Sequence, residues 1–123
     1  MKILLTVVGI VALFPSIWLP AQPVRRALIM GNDAYPGHPL HNARNDAEAI
    51  DKKLRSFGYK STLVLNADRK TLSGQIDAFA ESISPGDLAF VYYAGHGLQV
   101  GGENYLVPID FHISYESDVK TQG

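Results

Sequence analysis

The sequence contains no cysteine. Disulfides are therefore excluded, and the fold rests on its apolar core alone. Thioacyl chemistry is excluded too, because this chain supplies no thiolate. An excess of charge is also missing: 11 Lys and Arg stand against 12 Asp and Glu, a formal net charge of −1. A chain so near neutral has no electrostatic footprint for nucleic acid, which excludes that partner. There is no internal repeat and no low-complexity tract. Gly31-Asn32-Asp33 lacks the spacing and the lysine of a phosphate loop, so it reads as a turn.

What is present begins with an apolar run at the amino terminus. Lys2 gives a short positive start, Ile3 to Phe14 is apolar, Pro15 breaks the run, and Leu19-Pro20-Ala21 follows. This is the layout of a signal peptide over residues 1–21 with cleavage after Ala21. The expectation is export, periplasmic or secreted. The alternative is an uncleaved membrane anchor, although Ile3 to Leu19 is near the lower limit of roughly 17 residues for spanning a bilayer. Residues 22–123 then form one domain of about 100 residues, enough for a small core.

Along that domain, Ala27-Leu28-Ile29-Met30 is a short strand closed by the turn Gly31-Asn32-Asp33. Tyr35 to Leu40 holds two prolines and a glycine and reads as a loop. Ala47, Ile50, Leu54 and Phe57 recur at helical spacing. Asn42 or Asn45 can cap this helix, the second forming a capping box with Glu48, and Gly58 stands at the helix end. Leu63-Val64-Leu65 is a second strand. Leu72, Ile76, Phe79 and Ile83 mark a second helix, capped by Asp68 or Thr71. Alternation of this kind predicts a parallel sheet with right-handed crossovers and helices on both faces.

The third strand carries the chemistry. Leu88-Ala89-Phe90-Val91-Tyr92-Tyr93 is a continuous apolar run, the pattern of a strand buried on both faces. It ends in Gly95-His96-Gly97. The two glycines remove side-chain bulk on either side of the imidazole and open backbone angles closed to other residues. An imidazole thus arrives at the carboxyl end of a strand, where open α/β sheets place their sites. His is the commonest general base near neutral pH. Leu98 to Val100 and Glu103 to Val107 then read as a hairpin on the Gly101-Gly102 turn. Tyr92 and Tyr93 read as core and rim, and Asp110 as structural.

Four segments now fall in register: Ala27-Leu28-Ile29-Met30-Gly31-Asn32, Asn45-Asp46-Ala47, Tyr92-Tyr93-Ala94-Gly95-His96-Gly97 and Glu103-Asn104-Tyr105-Leu106-Val107-Pro108-Ile109-Asp110. Together they resemble the caspase-like cysteine peptidases, peptidase family C14, in the bacterial metacaspase and paracaspase-type branch. The resemblance covers about Arg26 to Asp110. It implies the three-layer α/β caspase-hemoglobinase fold, with the amino-terminal β-α-β-α-β part and the hairpin present. It also implies a His–Cys dyad for hydrolysis of peptide bonds, with His96 as its base. The Gly97 N–H would bind the oxyanion, and Asp46 would hold the Arg or Lys before the scissile bond. No cofactor and no metal are implied.

The match stops where the family's Cys belongs, near position 146 by the caspase spacing of roughly 50 residues after the His. The expectation is therefore a peptidase chain truncated before its nucleophile and inactive as given. Its partners would be a basic peptide or protein substrate and the missing carboxy-terminal half of the fold. With three core strands, the third is left with an unpaired edge, a pairing hazard; marginal stability or dependence on a partner follows. A second reading, from a different class, is a secreted pseudopeptidase that binds basic peptides through Asp46 without cutting them. A zinc site from His38, His41 and His96 is disfavoured, because the first two stand three apart in a proline-containing loop.

Overall fold

A computed structural model describes residues 21–112. The signal or anchor segment predicted over residues 1–21 lies, but for Ala21, outside the described residues. The elements follow the predicted order. They are β1 (Arg25–Gly31), α1 (Ala43–Ser56), β2 (Lys60–Leu65), α2 (Arg69–Ser82), β3 (Leu88–Ala94), β4 (Gly97–Val100) and β5 (Glu103–Leu106). Strands β2, β1 and β3 form a parallel sheet in that order, and β4 and β5 form a separate antiparallel hairpin. Among the described residues no helix is long and apolar enough to cross a membrane.

Strand β1 is the centre of the sheet because its apolar residues run unbroken. Leu28, Ile29 and Met30 are each at most 1% exposed, and full burial of such a side chain contributes about 2 kcal/mol. Alternation along the strand sends them to two different cores. Leu28 and Met30 pack with Val64, Leu72 and Phe79 under α2. Ala27 and Ile29 pack with Ala47, Ile50 and Leu54 under α1. The chain steps from β1 to β2 on one side, then back past β1 to β3 on the other. Right-handed crossovers in opposite directions place α1 and α2 on opposite faces, as the two cores require.

Helix α1 ends as its sequence suggests. Gly58 takes φ +81°, its N–H bonds Arg55 O, and the Tyr59 N–H bonds Leu54 O, a Schellman closure. Its start falls at the first of the two expected caps, Asn42, with the helix beginning at Ala43, but the Asn42 side chain makes no capping bond. Asn45 lies inside the first turn, and Glu48 accepts from Arg44 at 2.9 Å rather than closing a box. A tertiary contact stands in for the missing cap bond: a Cβ at Gly31 would lie 2.6 Å from Ala47 Cβ and 2.8 Å from Ala43 O. The first turn is pressed onto the end of β1, and that contact, not a local cap, fixes where the helix starts. Phe57, expected on the apolar stripe, is 53% exposed beneath Lys53 Nζ, 5.0 Å from its ring. As the C-cap residue it has already left the helical direction. In α2, Asp68 is the cap: its Oδ1 accepts the Thr71 N–H at 2.8 Å, and the Thr71 side chain first, then this N–H, hold the carboxyl below its ordinary value.

Strand β3 departs most from its sequence pattern. An apolar run like that of β1 predicts burial on both faces, yet Leu88, Phe90 and Val91 are exposed. The strand lies at the edge of the described sheet, bonded to β1 on one side, so the unpaired edge foreseen above is present among the described residues. Its entry is fixed by Asp87, which accepts from Arg26 Nε at 3.0 Å, from the Val24 N–H at 3.1 Å and from the Ser84 N–H at 3.0 Å. The Ser84 bond foremost, then Arg26, hold the Asp87 carboxyl below its ordinary value.

Both the open edge and the Asp87 anchor can be probed. Val91→Lys places a charge on the edge, so equilibrium sedimentation should show less self-association, with stability changed by no more than about 0.5 kcal/mol. A variant that unfolds would mean the position is buried. Because the Asp87 pKa is lower folded than unfolded, its contribution is present above the ordinary carboxylate range and lost as pH falls through the folded value. Urea midpoints measured from pH 7 down to pH ~2 should therefore fall less steeply in Asp87→Asn, which is less stable than wild type at neutral pH.

Candidate active site

The carboxyl ends of β1 and β3 lie side by side, with the Asn32 N–H bonding Ala94 O at 2.8 Å. Here the strand order switches direction, the usual position of a binding crevice in open α/β sheets. Asn32 is completely buried. Its Oδ1 accepts the Ala67 N–H at 2.9 Å, and its Nδ2 donates to Ala67 O and to Val107 O, each at 3.3 Å. One amide thus ties the end of β1 to the β2–α2 turn and to the exit of the hairpin. The following residues extend the tie: the Ile109 N–H bonds Ala67 O at 3.1 Å, and Asp110 Oδ1 accepts the Arg69 N–H at 2.9 Å. Asp110 is structural, as its position after the hairpin suggests.

His96 is held through its backbone and its ring. Its N–H donates to the Tyr35 hydroxyl at 3.0 Å, and its carbonyl accepts from the Tyr93 hydroxyl at 2.8 Å. The two phenols stand 3.0 Å apart, and both reach Val107 O, Tyr35 at 2.8 Å and Tyr93 at 3.0 Å. Burial first, then the bond to Tyr35, push the Tyr93 phenol far up, so it stays a neutral donor across the working pH range. The Tyr35 ring packs on the imidazole with centroids 4.5 Å apart and planes tilted by 52°. His96 Nε2 lies 3.0 Å from His38 O. A carbonyl only accepts, so Nε2 carries the proton, and in the neutral ring Nδ1 keeps the lone pair. The imidazole is therefore presented as a base through Nδ1.

Neither flanking glycine has a positive φ, and only Gly95 is required for space. A Cβ at Gly95 would lie 2.7 Å from the Tyr35 hydroxyl and overlap that of Tyr93. At Gly97 the nearest atom would be Tyr105 O at 3.7 Å, an ordinary contact. Gly97 pairs with Leu106, and the adjacent bond runs from the Val107 N–H to His96 O at 3.1 Å. This makes Gly97–Leu106 a non-hydrogen-bonded pair, whose N–H points away from β5. The Gly97 N–H is thereby not used in pairing with β5.

His96 and Gly97 share a cavity of about 270 Å³ walled by Tyr35, His38, Leu98 and Phe111. Asp46 is not on its wall. It is exposed in the first turn of α1, where its N–H bonds Asn42 O. That turn rests on Gly31, so Asp46 is at the same end of the sheet as His96. Among the described residues no group of three or more His, Asp or Glu is placed to hold a metal ion. By sequence, Asn32 belongs to a turn, Tyr35 to a loop, and Tyr93 to core or rim. The only sequence signal for them is their position, at or near the ends of β1 and β3.

The parallel sheet with a helix on either face agrees with the comparison to known proteins. The family model for the caspase domain, Peptidase_C14, matches residues 24–121, and the chain belongs to that family. Over 101 residues it is 30% identical to the human mucosa-associated lymphoid tissue lymphoma translocation protein 1 and, equally, to its mouse homolog. The match takes in 79% of this chain and 12% of either relative's length.

Asn32→Asp replaces the Nδ2 donor with an oxygen facing two carbonyls. It should cost about 3 kcal/mol at neutral pH, as buried acceptors lose their donor. Burial among carbonyls raises that carboxyl's pKa in the folded state, so the deficit should shrink as pH falls. Chemical denaturation at pH 7 and pH 5 checks both; a deficit that grows on acidification would contradict the geometry.

Proposed function

We propose that this chain is the base-bearing part of a caspase-like cysteine endopeptidase that cuts after Arg or Lys. The observation that carries the reading is His96, its Nε2 donating to His38 O, which leaves Nδ1 as the basic nitrogen of a ring that lines one cavity with Gly97. His96 takes the proton of a thiol nucleophile and returns it to the leaving amine. The Gly97 N–H stabilises the oxyanion of the tetrahedral intermediate. Asp46 receives the substrate guanidinium or ammonium as a charge-assisted bond. The 123 residues contain no Cys, so the thiolate must come from a further segment or chain. The same absence favours a second reading, a secreted binding module that holds basic peptides without cutting them.

One experiment separates the two. A fluorescent peptide ending in Arg is titrated onto this chain, and turnover is followed with protein extended to include a Cys-bearing segment. Arg-dependent binding that weakens roughly tenfold or more in Asp46→Ala, with turnover abolished in His96→Ala, is the peptidase result. Binding without turnover in the extended protein is the binding-module result. Binding indifferent to the Arg and to Asp46 would contradict both.

A further inference from the structure

We propose that Tyr35 and Tyr93 are positioning residues for His96, a phenol pair that fixes which imidazole nitrogen is offered to the reacting group. The proposal rests on His96 being the proton-transfer residue. It is carried by the placement of both hydroxyls on the backbone of the very residue whose ring does the chemistry.

His96 sits between the end of β3 and the start of β4, in a short connection where backbone freedom is expected. Its ring bonds His38 O at 3.0 Å, and that carbonyl belongs to the Tyr35–Leu40 loop. A bond between a connection and a loop orients a ring only if both are anchored. Tyr35 anchors both. It is 6% exposed, it lies in the His38 loop, and the His38 N–H bonds Tyr35 O at 3.2 Å. Its hydroxyl takes the His96 N–H, and its ring packs on the imidazole. Tyr93 grips the other side of the same residue by donating to His96 O. The pair is in turn seated on Val107 O, the carbonyl that Asn32 holds.

Gly95 is what makes the arrangement possible. Any side chain there would meet both phenol oxygens, so the hydroxyls reach His96 through the space a Cβ would fill. A packing role alone needs the rings and not the oxygens. A positioning role needs the oxygens, which makes Phe the informative replacement.

The test is a ring nitrogen–proton correlation spectrum of the uniformly nitrogen-15-labelled full chain, recorded above the imidazole titration range. In wild type, His96 should show one tautomer, with the proton on Nε2. Tyr35→Phe and Tyr93→Phe keep the aromatic volume and should each lose that single-tautomer signature, while the exposed His41 is unchanged. If both variants stay folded and keep a pure Nε2–H tautomer, the proposal is overturned. Should Tyr35→Phe fail to fold, Tyr93→Phe decides. A wild-type His96 averaging between tautomers also overturns it, whatever the variants do. The spectrum needs no substrate, so failure to bind Arg peptides would count against the peptidase reading and not against the positioning role.

Discussion

The Asn32 side chain is the constraint on which the rest of the site depends. A fully buried amide is stable only when its donors and acceptor are used, and here they reach two different segments: both backbone groups of Ala67 and the carbonyl of Val107. Those segments are far apart in sequence and share no strand pairing. Without the amide, the hairpin of β4 and β5 would be joined to the sheet mainly through Leu106, the phenol pair and the Asp110 bond at its exit. With it, Val107 O becomes a fixed point at which Asn32, Tyr35 and Tyr93 converge. His96 is then located from the buried core through partly buried bonds, which is what the proposed proton-transfer role needs if its geometry is to hold without reorganisation at the moment of reaction.

The two ends of the sheet are built differently. At the amino end, a carboxylate and a guanidinium close the entry to β3, with Asp87 accepting from three donors, Val24 and Arg26 on one segment and Ser84 on another. At the carboxyl end the ties are neutral amide, phenol and carbonyl groups. Asp46 stands apart from the cavity, exposed on the first turn of α1.

Much of the fold was legible because it follows from local rules. Apolar runs bounded by Gly, Asn and Asp gave the strands; Asp68 and Gly58 marked helix ends; Gly101-Gly102 marked the hairpin turn, where both residues take positive φ. What failed did so for tertiary reasons. The runs of β1 and β3 look alike, and only pairing decides that one is central and the other an edge. Asn45 and Glu48 satisfy a capping pattern, but the contact of Ala43 and Ala47 with Gly31 starts the helix earlier. The site was half legible. His96 was visible because glycines flank it in an apolar setting. Asn32 and Tyr35 were not, because a buried Asn in a turn and a Tyr in a proline-containing loop look ordinary until the hairpin folds back over them.

Amide hydrogen exchange tests the central claim most directly, since it asks whether the hairpin and the β2–α2 turn share the stability of the sheet. The informative amides are Ala67, bonded to Asn32 Oδ1, and His96, bonded to the Tyr35 hydroxyl. If Asn32 joins these segments to β1, both amides exchange as slowly as those of Leu28 and Ile29, through global unfolding. Exchange of Ala67 and His96 orders of magnitude faster than the β1 amides would show that the site opens independently, and the account of a rigidly located imidazole would be wrong.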